Sequence, residues 1–329
     1  MTITTKILGK GRAQISLSKR VADAKMYRKA VKFQTVSGKS VELETVYEDS
    51  LPNGAPEGTV VGFHGSPGSH HDFKYVRDLL DQMNIRFIGI NYPGFTHTPG
   101  YEGQDHVNAE RQNYSNAVLD ELGIDGKVIY VGHSRGCENA LQTAVDRKAQ
   151  GLIMANPIGL RIHKGIRPLW VLNGTRILYD MLPRSLGNAM MMKLYKAIGF
   201  KVSTGEQAIN AMRSMALVSL DGQLPYIEKT NEMGMKKLVI FSGNDHLMEQ
   251  EIMFELIEKH QDLRHFNYED KLTNEDHEKI VEEFAGNRRG ASLFVQKDNH
   301  FQNKSQAMLI AKACHAIFEA TNNRNTNKL

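Results

Sequence analysis

Short, continuous apolar runs recur along the chain at Val60–Phe63, Phe87–Ile90, Val128–Val131, Leu152–Ala155, Leu238–Phe241 and Leu293–Val295. Stretches with helical periodicity separate them, at about Asp72–Met83, His106–Leu122, Cys137–Val145 and Glu249–His260. Strands that are apolar on both faces and joined by helices predict a mainly parallel sheet covered on each side, an α/β fold. Upstream, apolar residues alternate instead: Val31, Phe33 and Val36, then Val41, Leu43, Thr45 and Tyr47, around Ser37-Gly38-Lys39. That period of two predicts a hairpin at the sheet edge. Leu51–Gly58, with Pro52 and Pro56, reads as a connecting loop. Residues 1–30 read as an arm with a helix candidate over Ile15–Ala30.

Two stretches interrupt the alternation. Leu160–Met235 is too long for a structureless loop and has a helix-start pattern at Ser203-x-x-Glu206, followed by Ile209, Met212 and Val218. It predicts an inserted helical cap over 160–235, dividing an α/β core of 31–159 and 236–322. The cap holds Trp170 and many methionines, among them Met181, Met190, Met191, Met192, Met212, Met215, Met233 and Met235. Methionines of this kind line an adaptable pocket or pack a small core, and both readings stand. Asp262–Gly290 is charge-rich, with one helix candidate near Glu275–Phe284, and reads as a solvated excursion.

Composition changes this picture little: 329 residues, 41% hydrophobic and 24% charged, fit a globular chain with one large domain and an insertion. Charge is more informative. The first 40 residues carry ten Lys or Arg against Asp23, a net +9, so the +4 of the whole chain leaves −5 for the remainder. The basic pI belongs to the arm, and the body offers no nucleic-acid footprint. Two cysteines, Cys137 and Cys314, give no disulfide framework and no short-spaced metal set, which favours a reducing, cytoplasmic setting. The basic, acid-poor arm leaves a mitochondrial presequence as the alternative. No apolar run reaches the ~18 residues that span a bilayer.

The strand at Val128 runs into Gly132-His133-Ser134-Arg135-Gly136 and then a helix, the setting in which a G-x-S-x-G turn exposes its serine above a sheet. A serine hydroxyl needs a base to take its proton and a third group to orient that base. The partners of such an elbow follow in the order acid, then histidine. Asp245 stands in Ser242-Gly243-Asn244-Asp245 at the end of one later strand, and His300 in Asp298-Asn299-His300-Phe301 at the end of the next. His246, His277 and Asp298 compete for these roles. The oxyanion donors fall to the backbone N–H of Arg135 and of Ser66, in His64-Gly65-Ser66-Pro67-Gly68 after the first long strand. His64 is expected to hydrogen-bond its own loop. The Arg135 side chain either binds an acidic substrate group or points toward solvent or a cap carboxylate, and the second is the expectation.

With these residues in place the chain resembles an α/β-hydrolase. The matching segments are His64–Gly68, Asn91-Tyr92-Pro93-Gly94-Phe95, the Gly132–Gly136 elbow, Asp245 and His300, across Val41 to Phe318. The Asp-Asn-His-Phe ending is also similar to that of a small group of hydrolase-like proteins, many from nematodes. The resemblance implies an acyl-bond hydrolase, with a carboxylic ester that has an apolar part as substrate. It implies an acyl-enzyme on Ser134, with no metal or cofactor. The serine sets the chain apart from the dehalogenase and epoxide hydrolase branches, which use Asp there. Asn91 stands where the family usually has Asp, and Arg135 where it usually has a small residue or Met; both bear on substrate class. Thioesterase, amidase and carbon–carbon hydrolase activity stay open, as does a non-catalytic binding or regulatory role on the same scaffold.

Overall fold

The structure is a computed structural model that describes residues 4–5, 15–16, 18, 21–55, 57–286 and 288–326. Its centre is a nine-stranded sheet. In chain order the strands are β1 Met26–Gln34, β2 Ser40–Asp49, β3 Thr59–Phe63, β4 Arg86–Ile90, β5 Val128–His133, β6 Gly151–Ala155, β7 Lys236–Ser242, β8 Leu263–Tyr268 and β9 Gly290–Val295. Their spatial order is β8-β9-β7-β6-β5-β3-β4-β2-β1. β3 to β9 are all parallel, and β2 alone runs against its neighbours.

The helices are α1 Lys74–Gln82, α2 Asn108–Glu121, α3 Gly136–Asp146, α4 Leu169–Met181, α5 Arg184–Ala197, α6 Gly205–Ala216, α7 Leu224–Glu232, α8 Gln250–Glu258, α9 Asn274–Val281, α10 Gln302–Ser305 and α11 Ala307–Thr326. Successive residues of the central strands face one of two cores in turn. Ile129 and Val131 pack with Val76, Leu79 and Leu309 of α1 and α11, whereas Val128 and Tyr130 pack with Val118, Leu141 and Ala144 of α2 and α3. Alternation on a sheet covered twice is what turns a continuous apolar run into two cores. Among the described residues no helix is long and apolar enough to cross a membrane.

Three local expectations are corrected. The helix over Ile15–Ala30 is absent where the chain is described: Ile15–Ser16 pairs with Thr4–Thr5, Val21–Lys25 is irregular, and Met26–Ala30 opens β1. β1 gains a full antiparallel register with β2, which local helical propensity cannot match. The remaining residues of that stretch, among them Leu17, Lys19 and Arg20, lie outside the described residues. In the charged excursion, Leu263–Tyr268 is a parallel edge strand on β9. Bound on one side only, it exposes Arg264, His265 and Asn267, and this polar content hid it from a search for apolar runs. Finally, α6 starts one residue after the Ser203 pattern: Thr204 is the cap, its hydroxyl accepting from the Gln207 N–H at 3.0 Å.

Helices α4 to α7 fill the span between β6 and β7. Tyr179, Met191, Tyr195, Ile209 and Met212 from this insertion join the core on the α2–α3 face of the sheet. The methionines divide between the two readings. Met191 and Met235 are core, Met212 and Met215 line the cavity described below, and Met181 lies 78% exposed.

Candidate active site

The turn between β5 and α3 holds Ser134 at φ +52°, a left-handed conformation that a non-glycine residue adopts at a cost. Its own N–H donates to the Ala155 carbonyl at 2.9 Å, which ties the turn to β6. Both flanking glycines are sterically required. A Cβ on Gly132 would stand 2.4 Å from the Cys137 Cα, and one on Gly136 would stand 2.0 Å from the Phe63 carbonyl oxygen. The close approach of α3 to β3 and β5 therefore depends on these positions lacking a side chain.

Asp245 follows β7 and His300 follows β9, both at carboxyl ends of parallel strands, as Ser134 is. His300 Nδ1 lies 2.6 Å from Asp245 Oδ2. The other carboxylate oxygen, Oδ1, accepts from the N–H groups of Leu247 at 2.7 Å and Met248 at 3.1 Å. Burial by itself would raise the Asp245 carboxyl, but the hydrogen bond from His300 and these backbone donors hold it below the usual carboxylate range. With the acid ionised, His300 Nδ1 carries the proton and donates, leaving Nε2 as the basic nitrogen. Burial lowers the His300 pKa from the ordinary histidine value more than the hydrogen bond and charge of Asp245 raise it.

Of the competitors, His246 stacks edge-on with His300 at 6.1 Å between ring centroids and leaves Asp245 to it. His277 is buried on α9. Asp298 accepts from Ser305 Oγ at 2.6 Å and Gln306 Nε2 at 3.0 Å, and so holds the His300 loop onto the start of the last helices. Several supporting residues were not singled out by sequence. Asn156, at φ +45° just beyond β6, donates to Asp245 Oδ2 at 3.3 Å and to Ser242 Oγ at 2.8 Å. His133 Nε2 donates to the His300 carbonyl at 3.0 Å. The signal for Asn156 was its place at the carboxyl end of a parallel strand.

Ser66 lies on the loop after β3, its Oγ donating to the Ala211 carbonyl of α6 at 3.2 Å. The same loop is held by Gly65 N–H donating to Asp72 Oδ2 at 3.3 Å and by His64 Nδ1 at 2.7 Å from the Gly65 carbonyl. Tyr92 N–H donates to His64 Nε2 at 3.2 Å, so His64 is a loop anchor, as expected. Among the described residues, neither the Ser66 N–H nor the Arg135 N–H is engaged by another group of the protein.

Ser66, Ser134 and His300 line one cavity of about 90 Å³. Its other walls are chiefly apolar, with Ile158 after β6, Leu172, Tyr195, Phe200, Met212 and Met215 from the insertion, and Leu247 and Met248 beside the acid. His163 is its further polar wall, with Nδ1 2.9 Å from the Leu247 carbonyl.

Arg135 corrects an expectation. Its side chain reaches neither solvent nor a carboxylate of the insertion; it is fully buried and ion-paired with Glu138 of its own helix. Its guanidinium also donates to Asn108 Oδ1 at 3.0 Å and to the Ser214 carbonyl of α6 at 3.3 Å. Beside it Arg111 donates to Asn139 Oδ1 and Ser214 Oγ, and lies 3.7 Å over the Tyr92 ring. The residue is a buried clasp between core and insertion. Arg135→Met strands Glu138, whose carboxyl burial already pushes upward, and is expected to destabilise the fold by about 3–5 kcal/mol in urea unfolding. Arg135→Met/Glu138→Gln should recover much of that loss, and a neutral single variant would contradict the clasp. Asn91 is likewise structural: it donates to the Val46 carbonyl at 2.9 Å and accepts from the His70 N–H at 2.9 Å, a pairing an ionised Asp could not complete.

A curated relative, the uncharacterized protein F35H12.5 of Caenorhabditis elegans, is 28% identical over 296 residues, covering 84% of this chain and 82% of the relative. In solved structures the fold is similar to that of an esterase from Thermogutta terrifontis, at 15% identity and TM-score 0.59 over 87% of this chain and 96% of the esterase. It is also similar to the meta-cleavage product hydrolase CumD from Pseudomonas fluorescens IP01, at 17% identity and TM-score 0.57 over 88% and 97% of the two chains. The family model described as an α/β-hydrolase of unknown function, DUF1057, matches residues 23–319, and the chain belongs to this α/β-hydrolase family.

Proposed function

We propose that the protein is a serine hydrolase that cleaves an acyl bond, with a small carboxylic ester bearing an apolar part as its preferred substrate. The observation that carries this reading is the 2.6 Å contact of His300 Nδ1 with Asp245 Oδ2, in a ring that shares one cavity with the strained Ser134. His300 Nε2 takes the Ser134 proton as Oγ attacks the carbonyl carbon. The unengaged N–H groups of Ser66 and Arg135 receive the oxyanion. The protonated ring then gives its proton to the leaving alcohol, and the acyl group stays on Ser134 Oγ. Water, deprotonated by His300, attacks the acyl-enzyme and releases the acid, which restores Ser134. Asp245 holds the ring in the required tautomer and offsets its charge.

The insertion serves as a cap whose Leu172, Phe200, Met212 and Met215 give the cavity its apolar lining, which favours an acyl or alkyl chain over a charged group. No step of this scheme calls for a metal or cofactor. The buried, unbonded Cys137 and Cys314 support a reducing, cytoplasmic setting.

The test is hydrolysis of p-nitrophenyl esters of graded chain length across pH. Turnover is expected, and because burial lowers the His300 pKa, the acid limb of kcat/KM should be centred below the ordinary histidine value of about 6.5. Activity should therefore be lost as pH falls through that limb and be flat through neutrality. A limb centred above pH 7 would mean that the Asp245 charge outweighs burial at His300, and a limb that persists in His300→Gln would remove His300 as the base. Absence of hydrolysis across the whole series would favour the binding-protein reading.

A further inference from the structure

Helix α4 turns an apolar stripe to solvent. Trp170, Ile177, Leu178 and Met181 stand at i, i+7, i+8 and i+11, on one helix face, and are 75, 62, 48 and 78% exposed. The opposite face, with Leu172 and Tyr179, packs against the core. Single exposed apolar residues are ordinary, but a stripe of four on a surface helix marks an interaction site. The surrounding charge is equally one-sided. Residues 161–201 contain eight Lys or Arg and one acid, Asp180, a net +7 in a chain whose remainder beyond the first 40 residues is acidic. Arg161 and Arg167 are paired with Glu255 and Glu249. Arg184, Lys193, Lys196 and Lys201 are exposed and, among the described residues, have no carboxylate partner.

We propose that this outer face of the insertion docks on an anionic phospholipid membrane surface. An apolar stripe with a tryptophan, in a segment rich in exposed cations, is the composition that enters a headgroup layer and is held there by acidic lipids. A second copy of the chain fits less well, because an isologous contact would bring two segments of net +7 together. The surface also adjoins the cavity. Leu172 on the inner side of α4 and the half-exposed Ile198 after α5 both line the cavity that contains Ser134, so an apolar molecule leaving the lipid has a short path inward.

The chain's single tryptophan is Trp170, which makes it a reporter of this face alone. The full chain is mixed with vesicles of phosphatidylcholine, or of phosphatidylcholine with about 30% phosphatidylserine. With the acidic vesicles the protein should co-sediment and its emission should shift to the blue; with phosphatidylcholine alone neither should occur, and added salt should reverse both. Lys193→Glu/Lys196→Glu should raise the acidic-lipid concentration needed for the Trp170 emission shift at least about tenfold, and an unchanged titration overturns the proposal. Ile177→Gln/Met181→Gln should reduce the emission shift, and circular dichroism checks that these exposed changes leave the fold intact. Unchanged emission with acidic vesicles overturns the proposal even where the protein sediments, since the basic N-terminal arm can bind them unaided. A lipid-free blue shift that grows with protein concentration, with a doubled mass in sedimentation velocity, overturns it in favour of self-association.

Discussion

Ser134→Ala is expected to lower kcat on an activated ester by about 10⁴- to 10⁶-fold while KM changes little. The substitution removes one oxygen at a position where the backbone, not the side chain, carries the structural interactions. The Ser134 N–H bond to Ala155 is kept, and alanine occupies the same turn. Circular dichroism and urea unfolding should therefore be close to wild type, so the lost turnover reports chemistry. The cavity walls stay in place, which is why binding is spared. A variant that keeps wild-type kcat would show that another group attacks the substrate.

Asp245→Asn should cost about 10⁴-fold in kcat, through the tautomer of His300. The two N–H groups of Leu247 and Met248 aim at Oδ1, so an amide at this position keeps its oxygen there. Its NH₂ then faces His300 Nδ1 at the 2.6 Å contact. Nδ1 must accept, the proton moves to Nε2, and the nitrogen that should deprotonate Ser134 no longer can. The Asn156 amide would meet that NH₂ as a second donor and so opposes this orientation, but it is one contact at 3.3 Å against the two shorter ones from Leu247 and Met248. Asp245→Asn with undiminished turnover would mean that His300 is oriented by something else, and the neighbouring rings His133, at 5.3 Å, and His246, at 6.1 Å, would be the next residues to replace.

Most of the parallel sheet was legible because strands covered on both faces are written as uninterrupted apolar runs; Val128–Val131 and Leu238–Phe241 need no context to be read. β8 was not, because an edge strand with one neighbour keeps Arg264 and His265 in solvent and loses that signature. The hairpin of β1 with β2 was read from its alternating second half, but the start of β1 was not, for a related reason. Its first half is largely exposed, and only its register with β2 makes it a strand.

At the candidate site, chain order and strand ends pointed to Asp245 and His300 as neighbours, and the two are in contact, since those positions follow from topology. The Arg135 side chain could not be placed in this way. Whether a cation after the nucleophile meets solvent or a buried glutamate depends on how α6 covers α3, a tertiary fact with no local pattern. Asn91 and Asn156 were silent for the same reason: their amides join strand ends that are distant in sequence.

An activated Ser134 is open to covalent labelling by an acyl-analogue phosphonate. The purified protein is treated with a small uncharged fluorophosphonate, digested, and the adduct located by mass spectrometry. One phosphonyl group is expected, on Ser134 in the peptide containing Gly132–Gly136, absent from Ser134→Ala and formed much more slowly by His300→Gln. A folded wild-type protein that takes no label, or takes it at another serine, would contradict an activated Ser134.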